Sequence, residues 1–168
     1  MPKTHLKIKD SMWLIVHPDI QTDLMILGES LADQMNNLPE NSMLSPILFS
    51  PDKLIYFAGG DFLPLTHMPM PWCDNQPWIN QLPETKEVGF IPLFAFMIPD
   101  KLYKQLNPPD YFDDDILAHA DFIMRAKDLG AKLFVTPESQ VIYPHAYNPK
   151  MGKKEFLSTM PQRLKEFE

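Results

Sequence analysis

The apolar positions alternate between two periods along the chain. Met12–Val16 is an unbroken apolar run, which predicts a strand buried in a parallel sheet and closing on His17-Pro18-Asp19. Leu24, Leu27, Leu31 and Met35 then recur at helical steps, with Thr22 as N-cap and Asn36-Asn37 and Pro39 as the stop. Two short apolar runs, 46–49 and 54–57, flank Ser50-Pro51-Asp52-Lys53, a turn signal, and Gly59-Gly60 breaks the second run as a bulge or close backbone approach does. Residues 63–84 carry no period and read as a long ordered loop. The most apolar stretch, 87–98, is divided by Pro92 and predicts two strand segments, and Pro99-Asp100 opens a short helix through Leu106. Residues 106–147 then give an acidic loop, a helix and two short strands. Ile116, Leu117, Ala120, Ile123 and Met124 share one helical face, Asp113, Asp114 and Asp115 cap its start, and Gly130 suits its C′ position. The strands are 132–135, closed by Thr136-Pro137, and 141–143, before Pro144-His145. Residues 152–168 predict an amphipathic helical tail interrupted by Pro161.

Composition adds bounds. The 168 residues suit one α/β domain, 1–168, with a core over 12–147. A net charge of −7 argues against a general nucleic-acid binder. The one cysteine, Cys73, excludes an intramolecular disulfide and a cysteine-rich zinc site, and fits a cytoplasmic location, free or peripheral to a membrane. No apolar run reaches the roughly 20 residues of a membrane span. The 18 prolines, about twice the usual share, predict short elements and stiff loops. Trp72 and Trp78 have two readings: they pin the 63–84 loop to the core, or they form a platform for an acceptor.

The order of these pieces resembles a family 2 glycosyltransferase. An apolar strand ending in Pro18-Asp19, a helix, and a two-strand turn ending in Ala58-Gly59-Gly60 looks like the middle of that family. The stretch from Asp121 through Arg125, Gly130 and Pro137 to His145 is similar to its acceptor half. The resemblance implies an α/β fold of GT-A type, a mixed sheet flanked by helices. It also implies a hexosyltransferase-type reaction, inverting transfer of a sugar from a nucleotide-sugar to a hydroxyl acceptor such as a glycan. Asp19 matches the last position of the family's Asp-x-Asp type metal motif, whose first position is His17 here, and His145 matches its terminal histidine. Both are thereby implied as ligands of Mg²⁺ or Mn²⁺, which neutralises charge on the departing diphosphate. Asp121 and Arg125 match the Asp and Arg of the family's helix and are implied donor-binding residues, although at i, i+4 they also suit a plain surface pair.

Two departures accompany the resemblance. The acidic pair that supplies the family's base falls on Ala118-His119, leaving His119, or Asp113, Asp114 or Asp115 of the loop, as candidate base. The family's nucleotide-binding half has no counterpart before Met12, so the fold is expected to be truncated at the N-terminus. Its 12–16 strand would then present an open edge, completed by a partner chain or by self-association. The alternative expectation is a non-catalytic, carbohydrate- or protein-binding relative that has lost the donor site.

Overall fold

The computed structural model describes residues 4–65, 68–72 and 76–145; the expected tail helix over 152–168 lies outside them, as does Cys73. The described residues form an α/β structure around one mixed sheet. Its strands are β1 (His5–Ile8), β2 (Met12–Val16), β3 (Ser42–Phe49), β4 (Ile55–Phe57), β7 (Lys86–Val88), β8 (Ala95–Pro99) and β9 (Lys132–Ile142), while β5 (Gly60–Phe62) and β6 (Pro69–Pro71) form a separate ribbon. The spatial order is β1-β2-β8-β3-β9-β7, with β4 on the end of β3.

Direction decides where a site can lie. β8 runs antiparallel to both neighbours, β2 and β3, and β3 is parallel to β9. So β2, β3 and β9 point the same way, and their C-terminal ends, Val16, Phe49 and Ile142, share one edge. The expectation of a parallel environment for β2 is corrected: both of its partners are antiparallel. Burial on both faces produced the apolar run, and burial does not encode strand direction.

Helices cover both faces. α1 (Leu24–Met35) lies against the face of Leu14, which together with Ile8 approaches Gly28 closely. On the opposite face, Tyr103 of α2 (Asp100–Leu106) stacks on Trp13 with centroids 4.3 Å apart, and Phe122 of α3 (Ile116–Asp128) meets Phe96 edge-on. Phe96 pairs with Ile15, which shares the face of Trp13, so α2 and α3 form one layer and α1 the other.

Most boundaries match the pattern, and four readings change. The α1 cap is Asp23, one residue after Thr22, with its carboxylate accepting from the N–H groups of Met25 and Ile26. The two strands expected at 132–135 and 141–143 are one strand, β9. Its register against β3 jumps from Thr136 to Gln140, so Pro137, Glu138 and Ser139 form a bulge, not a turn between strands. The buried stripe of α3 is His119, Phe122, Ile123 and Ala126, while Met124 is exposed. The open edge expected at β2 is closed by β1, through a turn that holds Lys9 and Asp10 at positive φ. The α3 C-terminus follows its expectation: Gly130 has φ +87°, its N–H reaches the Lys127 carbonyl, and that of Ala131 reaches the Ala126 carbonyl, a Schellman ending.

Candidate functional site

The C-terminal edge of β2 and β9 gathers the chemistry. Beyond β2 the chain turns through His17, whose Nδ1 accepts the Asp19 N–H at 3.1 Å. Beyond β9 come Tyr143, Pro144 and His145. His145 Nε2 and Asp19 Oδ2 stand 2.6 Å apart, and both side chains are about half exposed (50% and 55%). The bond to His145 holds the Asp19 carboxyl below its usual range. Asp19 and His145, both expected as metal ligands, are thus brought together across 126 positions of sequence.

Around this pair is a cage of rings. His17 is nearly buried and meets Tyr111, Tyr143 and His145 edge-on, at centroid distances of 5.1, 5.4 and 5.9 Å. Burial lowers the His17 pKa, against the opposing pull of Asp19, so the ring favours its neutral form. With Nδ1 accepting, the neutral ring carries its proton on Nε2. Tyr143 is fully buried, stacks on Phe94 at 3.9 Å, and donates its hydroxyl to the exposed Asp114 carboxylate. Burial, and then Asp114, push the phenol well above its usual pKa, so it remains a donor throughout the physiological range.

His119, a candidate base, occupies a different environment. It has no exposed surface. Its Nδ1 accepts the Leu93 N–H at 2.9 Å, and its Nε2 lies 2.6 Å from the Asp113 carbonyl, an acceptor, so that nitrogen carries the proton. Burial lowers its pKa to about 4. A base needs a free lone pair facing substrate, and the only one on this ring is taken by a backbone donor. The ring instead braces the site. Its two bonds fix the residues next to Phe94 and Asp114, and those two flank Tyr143.

The other candidates are placed more simply. Asp115 caps α3 by accepting the Leu117 N–H at 3.0 Å. Asp121 and Arg125 form an i, i+4 pair at 3.1 Å on the exposed side of α3, with the Arg125 guanidinium also over the Phe122 ring; such pairs contribute about 0.3–0.5 kcal/mol. Trp72 is covered on its ring by the Lys86 ammonium at 4.5 Å and lies close against Gly59, which has φ +120°, so it pins the loop. Asp114 and Tyr143 are the site residues that sequence spacing did not single out as a pair. The one available signal was alternation, which puts Tyr143 and His145 on the same side of an extended segment.

A divalent cation fits part of this arrangement. Asp19 offers a hard oxygen and His145 a ring nitrogen, and their exposure leaves further coordination positions to water and phosphate oxygens, as Mg²⁺ and Mn²⁺ sites commonly do. Among the described residues no group of three or more His, Cys, Asp or Glu is arranged to hold a metal ion. No helix among them is long and apolar enough to cross a membrane.

The fold and site define an α/β protein with a mixed sheet and a carboxylate–imidazole pair at the common C-terminal edge of its parallel strands, where open α/β sheets place ligands. Comparison with protein-family models, with curated proteins and with solved structures found no match.

Proposed function

We propose that this edge is the metal-and-acceptor side of a GT-A-type sugar-transfer site, acting on a nucleotide-sugar donor and a hydroxyl acceptor with inversion. The observation that supports the reading is the meeting of Asp19 and His145 at 2.6 Å, the two residues that the resemblance implies as ligands of one ion; an ion held there would take the place of the proton the pair shares. Asp19 and His145 would hold a Mn²⁺ or Mg²⁺ ion, which would supply positive charge to a leaving diphosphate. The residues of the chain do the rest. Asp114, rather than His119 or Asp115, is the base: it is exposed, and the buried Tyr143 hydroxyl fixes one of its oxygens. As the acceptor oxygen bonds to the anomeric carbon, its proton passes to the Asp114 carboxylate and the bond from that carbon to the diphosphate oxygen breaks. His17, neutral and caged, keeps the Asp19 backbone in place through Nδ1.

Calorimetric titration of UDP, GDP and dTDP with Mn²⁺ present tests this. Metal-dependent binding that is lost in Asp19→Ala and in His145→Ala supports the reading. Binding that ignores chelator, or survives Asp19→Ala, refutes it.

A second reading is favoured by the state of His119. Where the resemblance calls for a base, the chain has a buried ring with both nitrogens engaged. That suits a carbohydrate- or protein-binding relative without transfer activity. A glycan array run with and without chelator separates the two, since this reading requires neither metal nor nucleotide.

A further inference from the structure

A groove of about 490 Å³ opens on the same C-terminal edge, of the size usual for small-molecule clefts (roughly 300–1,000 Å³). Gln21 and Thr22 border it from the loop after β2, Gln140 and Ile142 from β9, Lys53 from the β3–β4 turn, and Trp78 from the long loop. Gln21 follows Asp19 by two residues, which keeps their backbones within about 7 Å. Ile142 precedes His145 by three. The groove therefore lies at the same end of the sheet as the Asp19–His145 pair.

Its lining combines an aromatic wall, Trp78 with Phe49 behind it, with two amides, a hydroxyl and the Lys53 ammonium, a further donor to hydroxyls. Trp78 is half-buried and rests edge-on against Phe49, at a centroid distance of 6.2 Å. The segment that presents it is fixed by its own chain. The Gln81 side chain accepts the Ile79 N–H at 2.9 Å and donates to the Pro77 carbonyl at 2.8 Å. The Ile55 N–H donates to the Gln76 carbonyl at 2.8 Å, and Leu54 bridges to Pro77. Trp78 is thus held in place before any ligand arrives. Gln21 and Gln140 are exposed, and each amide offers donors and acceptors together. A pyranose ring matches this mixture: its C–H face lies on an indole, and its hydroxyls, each donor and acceptor, meet amides and a threonine.

We propose that this groove is a carbohydrate subsite for a neutral glycan, with Trp78 as its stacking wall and Gln21 and Gln140 as its hydroxyl partners. Its description as the acceptor subsite rests on the transferase reading; the binding itself does not. A second pocket, bordered by Trp72 and Lys86, is not equivalent, because the Trp72 ring is already covered by the Lys86 ammonium.

The full chain, labelled with ¹⁵N, is titrated with lactose, maltose and N,N′-diacetylchitobiose, and is also applied to a broad array of neutral glycans. The array hits are then titrated in the same way. Expected is a shift of the Trp78 indole N–H signal on binding, and affinity weakened about ten-fold (about 1.4 kcal/mol) in Trp78→Ala. Because Trp78→Ala can loosen its loop, Gln140→Ala on the exposed β9 surface provides a second variant, weakening binding several-fold with an unchanged melting temperature. No binding by any of these glycans, or binding left intact in both variants, overturns the proposal. Mn²⁺–UDP titration of the same variants keeps the two readings apart. Glycan binding through Trp78 without nucleotide binding leaves the subsite standing and removes the transferase. Nucleotide binding without glycan binding does the reverse.

Discussion

His119 should make this fold sensitive to mild acid. The ring is fully buried, with its pKa lowered from 6.5 to about 4, chiefly by burial, and the nearby Asp113, Asp114 and Asp115 only partly oppose that shift. The unfolded chain takes up a proton near pH 6.5, and the folded chain resists it until about pH 4. Stability from the neutral ring is therefore complete above about pH 7.5 and is lost as pH falls through 6.5 toward 4. The gap of about 2.5 units corresponds to at most about 3.4 kcal/mol, of which about 2 kcal/mol is lost by pH 5. Protonation would also set a new N–H on Nδ1 against the Leu93 N–H that it now accepts. Urea unfolding between pH 5 and 8 measures the effect, with His119→Gln as control. The variant should be less stable at pH 8 by about 1–3 kcal/mol, through imperfect pairing of the buried backbone groups. It should also lose about 2 kcal/mol less than the native chain between pH 8 and pH 5. His17, shifted downward by its own burial, leaves a residual slope in both proteins. Identical slopes in the two would refute the argument, and so would an NMR titration showing His119 protonated at pH 6.

Three further outcomes follow from the geometry. His145→Ala should raise the Asp19 carboxyl pKa toward its ordinary value, because the His145 bond is the largest influence lowering it; carbon-detected NMR titration reads this directly, and an unmoved Asp19 would count against the pair. Asp23→Ala removes the acceptor for two N–H groups at the start of α1 and should cost about 0.5–2 kcal/mol in chemical unfolding, a loss that Asp23→Ser should largely avoid. Gly130→Ala finds open space but must keep φ near +87°, so it should destabilise by about 1 kcal/mol through backbone strain alone, measurable as a lowered melting temperature with no change in the site.

The fold was legible wherever a local signal and the tertiary environment agree. Pro92 divides 87–98, and the two halves become β7, on an edge, and β8, between β2 and β3. Gly130 ends α3 because only a residue without Cβ enters the left-handed region freely. The misreadings share a cause. Thr136-Pro137 carries the local chemistry of a turn, yet β9 continues, because its β3 partner pairs on both sides of the bulge. The α3 face was read slightly rotated because histidine counts as polar in any hydrophobic pattern. Two backbone partners, Leu93 and Asp113, satisfy the ring inside the core, and helical periodicity reveals neither the distant Leu93 nor the carbonyl of Asp113 in the loop before the helix.

The site divides in the same way, and the division bears on its chemistry. Asp19 and His145 were named together because the resemblance implies both as ligands of one ion, and each lies three residues past a strand, β2 or β9, whose end reaches the same edge. In the transferase reading, the choice of base among His119, Asp113, Asp114 and Asp115 was not legible, because it depends on which polar groups the core has already satisfied. His119 looked available at the level of spacing, and its chemistry at neutral pH suits a base. In the structure both of its nitrogens are committed to backbone, and the two residues it fixes, Leu93 and Asp113, adjoin Phe94 and Asp114. Phe94 stacks on Tyr143, and Tyr143 donates to Asp114. Freeing His119 would therefore loosen the contacts that hold the exposed Asp114 carboxylate. In the transferase reading the two roles exclude one another: His119 is the brace, and Asp114 takes the proton.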